Sequence, residues 1–168
     1  EFAQRLEPDI VSPIFRDFGA SAVSVLADER MGGCTIEDVK EFAEEQRRAT
    51  HNVPGPIHVI NSDLIIDELQ IAQSAAANAA AVVLSYELLG EDALPDFLKS
   101  CAALDLEAIV AVTDEHQATR AVECGASILL VKVDGVDAKV EVIKNVDDTV
   151  CKIGYIFAKN DQQLTEIE

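Results

Sequence analysis

The sequence predicts a parallel α/β fold. Short apolar runs rich in Val, Ile and Ala recur along the chain, each bounded by turn residues, and amphipathic stretches with helical spacing separate them. Aromatic residues make up only 5% of the chain and Trp is absent, so the core must be built from Ala, Val, Ile and Leu, as buried parallel strands are. Regular alternation of strand and helix means a parallel sheet covered by helices. No Gly-x-Gly-x-x-Gly follows a strand, which argues against a dinucleotide-binding sheet, and no Walker-type Gly-x-x-x-x-Gly-Lys is present. Periodicity alone does not separate a barrel from an open doubly wound sheet. The 168 residues suffice for one domain with a substantial core, and residues 1–168 are expected to form a single one.

Taken in order, Pro8 to Phe18 reads as a helix. Ile10, Ile14 and Phe15 share one face, and Gly19 sits where a C-cap belongs. Ser21 to Leu26 is a strand, followed by the loop Ala27-Asp-Glu-Arg-Met-Gly-Gly33. Thr35 caps the next helix, with Asp38 completing a capping box. Ile36, Val39, Phe42 and Ala43 are expected to face inward; Glu41, Glu44 and Glu45 are expected to form a solvated face rather than a metal site. Arg47 to Gly55 reads as a loop and Ile57 to Ile60 as a buried strand. Asp67 opens a helix to Ala80, with Leu64, Ile71 and Ala75 available for packing. Strands follow at Ala81–Ser85, Glu107–Val112, Ile128–Val133 and Val150–Phe157. Asp92 to Leu104 is an amphipathic helix whose Leu94, Phe97, Leu98, Cys101 and Leu104 share a face. Thr113 caps a helix that ends at Cys124-Gly125, and Asp161 begins a final one.

Charge excludes some function classes. The net charge is −18, and no basic stripe exists to hold a phosphate backbone, so direct nucleic-acid binding is not expected. No membrane span is visible, and anionic membrane surfaces should repel the chain. The charge reads either as plain solubility or, more pointedly, as a surface for a basic protein partner. The four cysteines, Cys34, Cys101, Cys124 and Cys151, are scattered without a Cys-x-x-Cys pair. Cys101 and Cys124 fall on apolar helix faces and read as small buried hydrophobes, which points to a reducing, intracellular compartment. His51, His58 and His116 have no partner at ligand spacing, so no metal and no cofactor are expected, and His58 reads as a half-buried strand side chain.

One stretch is more specific: Pro56-Ile-His-Val-Ile-Asn-Ser-Asp-Leu-Ile-Ile-Asp-Glu-Leu-Gln-Ile71. Ser62, Asp63 and Leu64 lie between strand end and helix start, the place where barrel enzymes do their chemistry. The run resembles the third strand of the indole-3-glycerol-phosphate synthase family, which reads roughly Pro-Val-x-x-Lys-Asp-Phe-Ile-x-Asp-x-Tyr-Gln-Ile. Asp63, Ile65, Asp67, Gln70 and Ile71 match it. Phe18-Gly-Ala-Ser-Ala-Val-Ser-Val-Leu-Ala-Asp-Glu29 is similar to that family's second strand, with Asp28 and Glu29 retained. Ala81-Val-Val-Leu-Ser85, Glu107 to Glu115 and Glu123-Cys-Gly-Ala-Ser-Ile128 resemble strand four, strand five and the approach to strand six. The resemblance runs from Pro8 to about Leu164 and implies a (β/α)8 TIM-barrel relative, here as about six βα units. The family's first strand is expected to lie before residue 1 and its eighth after residue 168, and Glu1-Phe-Ala-Gln-Arg5 reads as an interior cut.

The family closes the indole ring of an anthranilate-derived ribulose phosphate, joining two carbons with loss of CO2 and water. The resemblance assigns the general-acid lysine to the position held by Ser62 and the strand-five glutamate to that of Ala111. The strand-six Asn-x-Arg falls on Lys132, Val133 and Asp134, and the strand-seven Glu-Ser-Gly near Gly154, Tyr155 and Ile156. A serine hydroxyl is a poor acid near neutral pH, and alanine exchanges no proton. Packing positions kept beside altered strand ends imply a barrel retained for its shape: a non-catalytic family member serving as a structural or regulatory subunit. Two alternatives stand. One is an active synthase with relocated acid and base, in which Lys132 is a displaced lysine rather than a strand-end charge. The other is a binding module for a small anion or metabolite. By the same resemblance, a plastid location is expected.

Overall fold

The computed structural model describes residues 7–31 and 33–156. They fall into two compact units: residues up to Leu84 with Asp96–Ala108, and Ser85–Pro95 with residues from Ile109. Helix α4 (Tyr86–Ala103) and strand β4 (Glu107–Val112) each contribute to both.

The first unit is built on α1 (Pro8–Asp17), β1 (Ala22–Val25), α2 (Ile36–Arg48), β2 (His58–Asn61), α3 (Glu68–Ala76) and β3 (Ala81–Ser85). Strands β1 and β2 pair in parallel from Ala22↔His58 to Val25↔Asn61, and β2 pairs with β3 through Ile60↔Ala81. Val23, Val25, Val59, Val82 and Leu84 are buried on these strands, with Val39, Phe42 and Ile71 from the helices. Thr35 and Asp38 form the expected capping box. The Arg47–Gly55 segment is not all loop: α2 continues to Arg48, and a 3-10 turn follows at Ala49–His51.

Helix α1 inverts its expected face. Ile10, Ile14 and Phe15 are exposed, whereas Ser12 and Arg16 are buried. A polar network on α2 sets this orientation. The Arg16 guanidinium lies 3.1 Å from Glu45, with side chains only 6% and 13% exposed. Ser12 Oγ donates to Glu45 Oε2 (2.6 Å) and accepts from Gln46 Nε2 (2.6 Å). Gln46 Oε1 accepts the Ile57 N–H at 2.8 Å, tying the network to the start of β2. Periodicity sees the apolar stripe but not a paired buried charge. Glu45 therefore leaves the solvated face, where Glu41 and Glu44 remain the more accessible, with Glu44 3.6 Å from Arg48. Gly19, at φ +81°, ends α1 as expected, in a backbone region that glycine enters without steric cost.

Elsewhere the structure departs from the sequence pattern only locally. His58 is exposed rather than half-buried. Ile65, not Leu64, packs inward: Ile65 is fully buried and Leu64 is 56% exposed. Helix α4 is broken at Gly90 (φ +64°, ψ −176°); the segment after the break is the helix expected from Asp92, and the helical stretch from Tyr86 before it is unexpected. Leu94, Phe97 and Cys101 are buried as expected, but Leu104 is exposed and Leu106 takes its place.

The second unit pairs β4, β5 (Ile128–Val131) and β6 (Cys151–Gly154) in parallel, with α5 (Glu115–Glu123) and α6 (Val136–Ile143) between them in sequence. Asp114, not Thr113, caps α5: its side chain accepts the Gln117 N–H at 2.8 Å. Cys124 sits at the C-cap, half-exposed rather than buried in a helix face. Helix α6 has no counterpart in the expectation, because Val136, Ala138, Val140 and Val142 alternate with polar residues as in a strand and Gly135 gives it no side-chain cap. Strand β6 is shorter than expected and largely exposed. The helix expected from Asp161 lies outside the described residues.

Two outcomes test this account. Glu45→Ala leaves Arg16 buried and unpaired, so urea denaturation should show a loss of about 3 kcal/mol, against no more than about 0.5 kcal/mol for Glu41→Ala. Burial pushes the Cys101 thiol up to about 11 from its ordinary 9.0. The unfolded chain then loses this proton at lower pH than the native one. Stability should be insensitive to the group at pH 7 and fall as pH rises from about 9 to about 11. Urea midpoints across that range should lose this component in Cys101→Ala.

Candidate functional site

Parallel pairing brings the strand ends of each unit to one edge, and there the chain makes its loops. In the first unit β1 leads into Ala27–Arg30 and β2 into Ser62–Asp67. Ser62 N–H donates to Val25 O at 2.9 Å, the last rung of the β1–β2 ladder. Buried Asn61 holds the turn from below, donating to Ser74 Oγ (2.8 Å) and accepting from Asp63 N–H (3.0 Å). Asp63 accepts from Leu64 N–H at 2.7 Å.

Gln70 organises the loop. Its Oε1 accepts from Ile66 N–H (2.8 Å) and Asp67 N–H (3.0 Å), while its Nε2 donates to Leu64 O (3.0 Å) and Asp63 Oδ2 (3.4 Å). Asp67 caps α3, accepting from Leu69 N–H at 2.8 Å. The retained Asp67 and Gln70 thus have a structural task, a reciprocal capping box. On the β1 side, Asp28 accepts from Arg30 N–H at 2.9 Å, and its backbone carbonyl accepts from Met31 and Gly33.

Asp28, Glu29, Asp63 and Gln70 converge with Ala27, Arg30, Leu64 and Ile66 on one opening of about 450 Å³. Four of the five retained motif residues therefore line a single concavity, and Asp67 stands behind it as the cap. Three carboxylates face one guanidinium, and Arg30 turns its side chain almost wholly to solvent, 3.8 Å from Asp28. Leu64, Ile66 and Arg30 are lining residues that motif matching does not single out. Their signal is topological: the loops after two adjacent parallel strands must meet.

Of the altered positions in the second unit, Lys132 and Tyr155 occupy equivalent rungs and Ala111 does not. Ala111 is buried within β4 opposite Leu130. Lys132 N–H donates to Val112 O (2.9 Å) and Tyr155 N–H to Val131 O (3.0 Å). Lys132 Nζ lies 5.6 Å from the Tyr155 ring centroid, a cation–π contact. Gly154 ends β6, and Asp134 and Ile156 are exposed. Lys139 Nζ bonds to the carbonyls of Val133 (2.5 Å) and Gly135 (3.3 Å), fixing the turn that carries Asp134. Among the described residues no group of three or more His, Cys, Asp and Glu is placed to hold a metal ion, and no helix is long and apolar enough to cross a membrane.

The family profile of indole-3-glycerol phosphate synthase matches residues 2–143. The chain belongs to the indole-3-glycerol phosphate synthase family. The synthase of Leptospira interrogans is 31% identical over 130 residues, 77% of this chain and 48% of that protein. The synthase of Staphylococcus aureus is 30% identical over 80% of this chain and 47% of its own length. The chain thus spans about half the length of the curated relatives it matches. Among solved structures, N-acetylmannosamine-6-phosphate 2-epimerase from Clostridium perfringens superposes with a TM-score of 0.70 at 10% identity, covering 99% of this chain and 77% of that one. Thiamine phosphate pyrophosphorylase from Pyrococcus furiosus gives 0.62 at 18%, over 96% and 75%. The fold is α/β, a TIM-barrel relative with six parallel strands among the described residues.

If Gln70 holds the synthase-family loop in place, Gln70→Ala should hand the Ile66 and Asp67 amides to water. The expected loss is about 1–2 kcal/mol, with faster hydrogen exchange at those two amides and little change at the Val59 and Val82 amides.

Proposed function

We propose that this chain is a non-catalytic member of the indole-3-glycerol phosphate synthase family, serving as a structural or regulatory subunit of a larger assembly. One observation carries the proposal. At the strand ends to which family resemblance assigns the general-acid lysine and the strand-five glutamate, this chain has Ser62 and Ala111. Ser62 is held in register by the last rung of the β1–β2 ladder, and Ala111 is paired inside β4. Neither side chain can supply the proton transfers that ring closure needs. The retained Asp67 and Gln70 have folding tasks in the capping box, so their retention is accounted for without chemistry.

An active synthase is a second reading with its own support. The curated relatives are synthases at about 30% identity, the carboxylates Asp28, Glu29 and Asp63 line an opening, and Lys132 stands at the end of β5 beside Tyr155. In that reading Lys132 replaces the missing acid.

Fluorescence detection of indole-glycerol phosphate formed from the anthranilate-derived ribulose phosphate by the purified full-length protein separates the two. Loss of acid and base is each worth roughly 10²–10⁴-fold, so turnover should lie at least 10⁴-fold below an ordinary enzyme's roughly 10 s⁻¹. A rate within about tenfold of that value, abolished by Lys132→Met, would establish the second reading instead.

A further inference from the structure

The opening between the β1 and β2 loops presents apolar side chains to water from a fixed scaffold. Leu64 and Ile66 are 56% and 64% exposed, and Leu69 and Met31 on the same two loops and the start of α3 are also exposed. These side chains are not on a slack segment. Ile65 between them is fully buried, and Gln70 bonds to the backbone of Leu64, Ile66 and Asp67. The loop therefore holds two large aliphatic groups outward, away from the core of the described residues. Large exposed apolar groups gathered at one place mark a contact surface.

The charge beside them selects the occupant. Asp28, Glu29 and Asp63 line the same concavity, against a single Arg30 whose guanidinium points to solvent. With a net charge of −18, the surrounding field adds to the local one. An anionic metabolite is repelled here, and a purely apolar ligand would desolvate the carboxylates without compensation. A Lys or Arg side chain meets both demands: its methylene stem lies along Leu64 and Ile66 while its head reaches the carboxylates. We infer that this mouth is a docking site for a partner protein's segment in which Lys or Arg alternates with large apolar residues. The inference rests on the non-catalytic reading above, since it places a protein segment where the family would place substrate.

The experiment pans a displayed library of random heptapeptides on the purified chain at low salt. The tightest peptide is then titrated by fluorescence anisotropy against the chain and against Ile66→Ser, Leu64→Ser and Glu29→Gln, all exposed positions. Enriched sequences should combine Lys or Arg with Leu, Val or Phe. Each variant should weaken binding, Ile66→Ser by tenfold or more, and raising salt from about 50 mM to 0.5 M should weaken it further as the Debye length falls. Amide shifts on binding should map to residues 27–30 and 63–70. No enrichment, enrichment of acidic or uncharged peptides, or affinity unchanged in the variants would overturn the inference. Binding and turnover are read separately. A chain that binds the peptide and also turns over substrate overturns only the non-catalytic reading, and one that does neither overturns only the docking site.

Discussion

Three parallel strand pairs in this chain close on the same bond. The residue just past one strand donates its N–H to the carbonyl at the end of the strand before: Ser62 to Val25, Lys132 to Val112, Tyr155 to Val131. That rung fixes where the backbone leaves the sheet and which residue first enters the loop. In a parallel sheet the successive loops then emerge along one edge, so what stands at those positions decides what the edge can do. The scaffold leaves these side chains free to vary, because their backbone bonds do not depend on them.

This separates retained residues by task. Asp67 and Gln70 are held by the needs of the loop, since a helix start leaves N–H groups that only a side chain or water can satisfy. Asp28 also has a local backbone bond, which closes the turn after β1. Glu29 has no such bond among the described residues, and its carboxylate adds to the negative mouth. Retention of a family motif here is therefore partly a record of folding, and the catalytic question rests on the strand-end positions that folding does not constrain.

The same logic governs α1. Its apolar stripe is turned outward because Arg16 and Ser12 have charged and amide partners on α2. A buried ion pair is stable only when its hydrogen bonds are completed, and Gln46 completes them while also taking the Ile57 N–H. The start of β2 is thus linked to the orientation of a helix far from it in sequence.

The sequence by itself determined the alternation of elements, the six strands, the Thr35 capping box and the family. These follow from local periodicity, from caps within four residues and from residue identity in short runs. The matching of Asp63, Asp67 and Gln70 was equally legible. Only the tertiary structure decided which face of α1 is buried, that Glu45 is a core partner, that Leu64 points outward while Ile65 packs, and that Asp28, Glu29 and Asp63 share one opening. Each of these turns on a contact between residues distant in the chain or on a one-residue change of direction in a loop. Helix α6 escaped for a different reason: its apolar residues also alternate as a strand's would, the glycine before it supplies no cap, and its place is set by packing against α5.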